Sequence, residues 1–317
     1  MALSFVGAVE MDLNPPHEVS ILMINFNSSR YTIDCVRSLI RNTRDSIDYN
    51  IIVVDNNSDP PEYRALSTLG EYKNVLIVRS RVNLGFSGGH TFGLQFTNAK
   101  YYFFLNNDCI VLNDCVGILY EFCESTQTVA MCAPQLYNDA MEHHSTFQYL
   151  PTLMSKFFGY SFVRLFNKAL YPSMKNEYES PLKVSMLSGT AMFVRAEVFN
   201  RIGGFDTNYF LYNEEEDLSL RLGHEGYGIY LVPAARVQHF GRKSTIMNTE
   251  IAKEFYISYF YFYRKHYGCL KTLVLKGLVF LKLLKKSFKS GENLRLAGFV
   301  LFRAKPWNSM RHRQVIR

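Results

Sequence analysis

The chain has 317 residues, 48% of them hydrophobic and 15% aromatic, which excludes a disordered segment and suits one large α/β domain with an appendage. The net charge of +7 is unevenly placed: Cys269 to Arg317 holds twelve basic residues and one acid, Glu292, leaving 23 basic and 27 acidic residues elsewhere. A mildly acidic body with a strongly basic tail excludes a body built for nucleic acid and points the tail toward an anionic surface.

Residues 1–17 read as a loosely ordered lead-in without the basic-then-apolar pattern of a secretory signal, and no run reaches the ~18 apolar residues of a spanning helix. Six cysteines (Cys35, Cys109, Cys115, Cys123, Cys132, Cys269) show no paired spacing, which reads as reduced core thiols of a cytosolic protein and not as a zinc site.

Val19 to Asn25 is an apolar run of the buried-strand kind, followed by a helix over about 30–42 with Ile33, Val36, Leu39 and Ile40 on one face. A second strand, Tyr49 to Asp55, ends in Asn56, Asn57, Ser58 and Asp59, and Pro60 and Pro61 open the next helix. The third, Val75 to Val78, leads to the glycine-rich turn Asn83-Leu-Gly-Phe-Ser-Gly-Gly-His90 and a helix to about Asn98. The fourth, Tyr101 to Leu105, stops abruptly at Asn106, Asn107 and Asp108. Such alternation predicts an α/β fold: a mostly parallel central sheet with helices on both faces.

Three of these strands end in polar side chains: Asn25 to Asn27, Asp55 to Ser58, and Asn106 to Asp108. Ligands of open α/β sheets are met at the carboxyl ends of strands, so this shared rim suits a nucleotide with its metal. Taken singly, each group also reads as a turn or a helix cap. Gly85, Gly88, Gly89 and Gly93 lack the dinucleotide spacing and follow the third strand instead of the first. They read either as close backbone approach to a ligand, with a helix N-terminus offering amides to an anion, or as close packing of the helix on the sheet.

A helix over 114–124 and a strand over 129–133 follow, and the pattern loosens from Pro134 to Lys183 into a Phe- and Tyr-rich irregular insertion, the kind of segment that carries acceptor specificity. His143 and His144 are neighbours that would point apart, and read as surface loop histidines. Order returns at Val184 to Arg195 and at Gly203-Gly-Phe-Asp206, and from Asn213 the run Glu214-Glu215-Glu216-Asp217 begins a helix. Acids in a first turn suit the helix dipole, but four in a row exceed what capping needs, and like charges raise one another's pKa toward that of a general base. A strand over 228–232 and an extended piece over 236–240 bring His239, which alone reads as a packed histidine.

Taken in order, these pieces resemble glycosyltransferase family 2, inverting enzymes of the GT-A fold, and within it the rhamnosyltransferase-like branch. Ile24-Asn-Phe-Asn27 is similar to the family's opening TYN element and Ile52-Val-Val-Asp55-Asn-Asn-Ser58 to its VVDNxS element. Asn83 to Gly93 resembles NxGFAGGxNxG, Leu105 to Asp108 resembles LNPD, this branch's form of the metal-binding DxD, and Gly203 to Leu218 resembles GGFDExFFLYxEDxDL. The resemblance covers about residues 19–268. It implies that Asn25, Asn27, Asp55, Asn57, Asn83, Gly85, Gly88, Gly89, Asn106 and Asn107 bind the nucleotide sugar, Asp55 at the base. It also implies that Asp108 and His239 hold Mg²⁺ or Mn²⁺ and that the catalytic base is among Glu214, Glu215 and Asp217. Two departures stand out: Asn106 replaces the first DxD carboxylate, and Glu215 occupies the position of the family's catalytic aspartate.

The implied reaction moves rhamnose or another hexose from a UDP- or dTDP-sugar to a hydroxyl of a lipid-linked oligosaccharide, as in O-antigen or other bacterial surface-polysaccharide synthesis. A nucleotidyltransferase would want a basic phosphate-gripping loop near the first strand, where only Ser28-Ser-Arg30 stands. A non-catalytic nucleotide-sugar-binding membrane scaffold is the reading from a different class.

The catalytic domain is expected over 18–247 and a helical basic region over 248–317. There a Tyr/Phe-rich helix, Ile251 to Tyr267, ends at Gly268. Beyond it Lys271, Lys282, Lys285, Lys286 and Lys289 share one arc of a helix, with Leu273, Val274, Leu278, Phe280, Leu281 and Leu284 largely elsewhere. Arg295 to Arg317 continues the basic and aromatic mixture. This pattern reads as a surface lying on an anionic membrane, or else as a basic-faced helix packed on the body. The expected location is cytoplasmic, peripheral on the inner face of the cell membrane, and the C-terminal helices are also a candidate surface for oligomerisation.

Overall fold

The computed structural model describes residues 16–166, 171–241, 248–287, 291–314 and 316; the lead-in up to residue 15, the segment 242–247, Lys289 and Arg317 lie outside them. Strands β1 (His17–Asn25), β2 (Tyr49–Asp55), β3 (Val75–Arg79) and β4 (Ala99–Leu105) alternate with helices α1 (Ser29–Asn42), α2 (Pro60–Ala65) and α3 (Gly85–Gly93). The four strands pair in parallel in the order β3-β2-β1-β4. β4 shows why the run from Tyr101 to Leu105 is apolar throughout. Tyr101, Phe103 and Leu105 enter the core shared with Cys35, Val36 and Leu39 of α1, while Tyr102 and Phe104 enter the opposite core.

After β4 come β5 (Cys109–Val111), α4 (Cys115–Ser125), β6 (Val129–Tyr137), β7 (His143–His144), β8 (Phe147–Gln148), α5 (Leu153–Phe158) and α6 (Tyr160–Phe166). Then follow β9 (Leu182–Lys183), β10 (Met186–Leu187), β11 (Ala191–Arg195), α7 (Ala196–Arg201), α8 (Glu214–His224) and β12 (Gly228–His239). The sheet continues β4-β11-β6-β12-β5, with β11 antiparallel to both neighbours, β6 and β12 parallel, and β5 antiparallel to β12. The sheet is therefore parallel in its first half and mixed in its second.

Several expectations are corrected here. β12 is one strand with a register shift between Val232 and Arg236, where Pro233 interrupts the pairing, and not two separate pieces. The stretch from Pro134 to Lys183 contains β7, β8, α5 and α6 instead of being irregular, and His143 and His144 pair with Tyr137 and Leu136 in a short edge strand. Five cysteines are buried, but Cys269 is exposed and is no core thiol.

The C-terminal region is a helical stretch, α9 (Thr249–Ser287), followed by α10 (Gly291–Gly298). Within α9, Gly268 adopts φ 84°, ψ 174°, so two arms, 249–267 and 269–287, fold back on each other, with the break at the glycine foreseen. Leu275 and Leu283 of the second arm meet Ile257, Phe260, Phe262 and Tyr263 of the first in a third core, joined by Tyr209, Ala297 and Val300. The first arm is bonded to the body: Ser258 Oγ donates to Leu211 O at 2.8 Å, and Tyr261 OH to Asp206 at 2.9 Å. Among the described residues no helix is long and apolar enough to cross a membrane.

Candidate active site

The parallel register aligns three strand ends in a row: Asn25 stands opposite Asp55, and Asp55 opposite Arg79. Asp55 is fully buried, and its two carboxylate oxygens receive Asn25 Nδ2 at 3.0 Å, the Ser58 amide at 3.2 Å and Arg79 Nε at 3.2 Å. Arg79 also lies over the Tyr63 ring, 4.2 Å from its centroid. Asn25 further holds Ser58 Oγ and accepts Thr32 Oγ1 at 2.8 Å. Arg79 was absent from the candidate residues, although the strand-end rule that singled out Asp55 applies equally to the end of β3.

Asn56, not among the residues the resemblance implies, pins the glycine-rich turn. Its amide nitrogen reaches Asn83 Oδ1 at 2.9 Å and Gly85 O at 3.0 Å, and its oxygen accepts the Leu84 amide at 2.8 Å. The Gly85 amide is taken by Asn83 Oδ1 and the Phe86 amide by Phe210 O, both at 2.8 Å. The amides of Gly85 and Phe86, the first two of α3, are thus held by protein acceptors and are not free for an anion. Gly89 and Gly93 sit against Ile24 and against Val54 and Leu22, so both serve close packing on the sheet. Gly88 has only Leu84 Cβ within reach.

Gly85 has φ 71°, and a Cβ there would lie 2.0 Å from Phe210 O. Because that clash is with backbone and the conformation disfavours any side chain, Gly85→Ala is expected to cost at least about 2 kcal/mol, read as a lowered Cm in urea. Unchanged stability would mean that the contact between this turn and the loop before α8 is dispensable.

β4 ends at the second rim. The Asn106 amide donates to Thr190 O at 2.8 Å, and the buried Asn107 donates its side-chain amide to Ser28 Oγ and Thr32 Oγ1 at 2.7 and 2.8 Å. Asn25, Asn83 and Asn107 therefore shape the rim from within; their side-chain bonds run to protein partners. Asn27 and Asn57 hold φ of 52° and 71°, conformations that asparagine tolerates, and Asn27 Oδ1 accepts the Asp59 amide at 2.7 Å.

Asp108 and His239 are brought together by the antiparallel pairing of β5 with β12, in which His239 stands opposite Cys109. His239 Nε2 lies 3.2 Å from Asp108 Oδ1, yet that oxygen, fully buried, makes no aligned hydrogen bond. Asp108, Cys109 and His239 offer ligand atoms within 4.8 Å of one another. Burial pushes the Cys109 thiol well above its ordinary pKa, with the charges of Cys35 and Asp108 adding to it. His144 on the β7 edge strand has its pKa lowered by burial first, with its neighbouring histidines adding to it.

The acidic run starts α8 after two left-handed residues, Tyr212 and Asn213. Burial, with the charge of Glu215 second, pushes Glu214 and Glu216 well above the ordinary carboxylate range, and burial also raises Glu215. Each of the three has a buried Oε2 without a hydrogen-bond partner. Glu215 lies against Gly189: a Cβ on that glycine would be 3.6 Å from the Glu215 carboxyl carbon. Gly189 precedes Thr190, whose carbonyl holds Asn106, so Glu215 and the turn from Asn106 to Asp108 share one short piece of chain.

Asp217 is different and is removed from the base candidates. It is fully buried, with Arg221 Nε at 2.7 Å on one oxygen and Lys265 Nζ and His266 Nε2 at 2.6 and 2.7 Å on the other. Burial raises its pKa, but the hydrogen bond from His266 and the charges of Arg221 and Lys265 outweigh that and hold it at about 2. A carboxylate so held is too weak a base to take a hydroxyl proton. Asp206 is also lowered, where Lys265 and Tyr261 overcome burial, so both acids anchor α9 to the body.

The profile of "Glycosyl transferase family 2" matches residues 20–203, more than half of the chain. The rhamnosyltransferase WbbL of Escherichia coli (strain K12) is 29% identical over 217 residues, 65% of this chain and 79% of that protein. The N-acetylglucosaminyl-diphospho-decaprenol L-rhamnosyltransferase of Mycobacterium tuberculosis is 45% identical over 62 residues, 20% of each chain. Among solved structures, GalNAc-T7 with UDP, GalNAc and Mn²⁺ superposes with a TM-score of 0.57 at 15% identity, covering 78% of this chain and 47% of that one. TarS 1–349 of S. aureus superposes at 0.50 and 12% identity, covering 78% and 73%. At such identities the structures speak for the fold alone. The chain belongs to glycosyl transferase family 2, is similar to rhamnosyltransferases, and has the GT-A fold.

Proposed function

We propose that the protein is a metal-dependent, inverting hexosyltransferase. It moves rhamnose or another hexose from a UDP- or dTDP-sugar to a hydroxyl of a lipid-linked glycan, in bacterial surface-polysaccharide synthesis such as that of O-antigen, at the inner face of the cell membrane. The observation that carries this reading is the buried Asp108 Oδ1, left without an aligned hydrogen bond 3.2 Å from His239 Nε2 at the strand-end rim. A carboxylate oxygen beside an imidazole suits Mn²⁺ or Mg²⁺, with a diphosphate completing the shell. Bound there, the ion supplies charge neutralisation to the departing diphosphate.

The chain's own residues do the rest. The row Asn25–Asp55–Arg79 shapes the floor for the nucleotide, with Asp55 toward the base, while Asn27, Asn57 and Asn106 flank the opening. Glu215 takes the proton of the acceptor hydroxyl as its oxygen attacks the anomeric carbon opposite the leaving group, so configuration inverts. Burial readies Glu215 for this by raising its proton affinity above that of an exposed glutamate.

The metal assignment is tested by thermal unfolding with UDP and with dTDP, with and without Mn²⁺. Stabilisation that needs both ligands is expected in the parent chain, and Asp108→Asn is expected to remove most of it. Equal stabilisation of Asp108→Asn would place the ion elsewhere.

A further inference from the structure

The sequence left open which face of the second arm of α9 meets the body. The structure orients Thr272, Leu275 and Leu283 inward. At about 100° per residue the opposite side carries Leu270, Leu273, Val274, Leu281 and Leu284 on one stripe. That stripe is open: Leu270, Leu273 and Leu281 are 76%, 66% and 60% exposed. Lys271, Lys282 and Lys285, all exposed, border it. Further along, Phe302 and Trp307 stand out beside Arg303 and Lys305, and Lys305 lies over the Trp307 ring, 4.9 Å from its centroid.

A second apolar cluster comes from elsewhere in the chain. α5 and α6 expose Met154, Phe157 and Leu165 by 56%, 53% and 73%, with Phe162 beside them. The fold brings this hairpin to the bend of α9. Tyr160 at the start of α6 is within electrostatic reach of Tyr267, the residue before Gly268, and of Glu216. Tyr259 and Tyr263 feel Tyr160 in turn, and Tyr171 acts on Tyr267. Tyr160 and Tyr171 both pack on Tyr149 on the hairpin side, and Tyr259, Tyr263 and Tyr267 stack in turn along the first arm of α9.

We propose that the α5–α6 hairpin and the outward stripe of the second arm form one lipid-facing surface, which seats the protein on an anionic bilayer beside its acidic site. Apolar side chains bordered by lysines match an acyl boundary under anionic headgroups. A second copy of the chain fits less well, because a two-fold contact through the stripe would set lysines against lysines. This deepens the reading of a lipid-linked acceptor and rests on it for its purpose. The surface itself is measured without donor or acceptor, whereas transfer to a short-chain, water-soluble acceptor tests the transferase reading alone.

The experiment is co-sedimentation of the full chain with vesicles of phosphatidylcholine and phosphatidylglycerol. Phe157→Glu with Leu165→Glu, and separately Leu273→Glu with Leu281→Glu, should each raise the lipid needed for half-pelleting by at least about tenfold. A conservative variant guards against misfolding: Phe157→Trp in a Trp307→Phe background should blue-shift its emission when vesicles are added. Hairpin variants that pellet like the parent, an unshifted tryptophan at saturating lipid, or a dimer that Leu273→Glu dissociates would each overturn the proposal.

Discussion

Replacing Glu215 by glutamine should lower turnover by about 10²–10⁴-fold while leaving nucleotide-sugar binding intact, the split expected when a general base is removed and the donor site is untouched. Glutamine keeps the shape and cannot take a proton. Because burial raises the pKa of Glu215, the protonated, inactive form persists above the ordinary glutamate value of about 4.3, so the acid limb of the kcat/KM profile should lie above that value. Glu215→Asp, which restores the family's residue one methylene shorter, should keep measurable activity. Turnover of Glu215→Gln within a few-fold of the parent would move the base to Glu214 or Glu216, which share the buried, unpartnered condition.

Asp217→Asn should be the most damaging change to stability. The parent carboxylate answers Arg221, Lys265 and His266 from a fully buried position, and its removal leaves the partly buried Arg221 without a carboxylate and Lys265 with Asp206 alone, a cost of about 3–5 kcal/mol. Thermal or urea unfolding reads it. The pH dependence has a definite sign. The folded pKa of about 2 is below the unfolded value of about 3.9, so this stabilisation is complete above the unfolded value and is lost as pH falls toward 2. A variant as stable as the parent at pH 7 would show that Arg221, Lys265 and His266 find other partners. Because the same hub anchors α9, the variant should also loosen the first arm, visible as faster amide exchange in 249–267.

The strand-end rim was legible because β4 and its neighbours are buried on both faces, so an apolar run that halts at Asn106, Asn107 and Asp108 marks where the sheet ends. The pairing of Asp108 with His239 was reached only through resemblance, since it depends on β5, a three-residue strand too short for periodicity to reveal. Asp217 was read together with its acidic neighbours because two of its partners, Lys265 and His266, lie 48 and 49 residues further on; only Arg221, at i+4, was a local signal. Arg79 and Asn56 were within reach of the rules already in use, one as a strand end and one as a neighbour of a chosen residue. The second arm of α9 is apolar on two opposite sides, and periodicity could not say which side meets the body. Only the packing of Leu275 and Leu283 decides that.

The proposed sugar transfer at Asp108, His239 and Glu215 is tested most directly by product formation from UDP- and dTDP-hexoses on a synthetic lipid-diphosphate-linked sugar acceptor. The expected outcome is a glycosylated product of inverted anomeric configuration that requires Mn²⁺ or Mg²⁺, disappears on chelation and is lost in Glu215→Gln. A product of retained configuration, transfer indifferent to chelation, or no product and no released nucleoside diphosphate with any of these donors would contradict it.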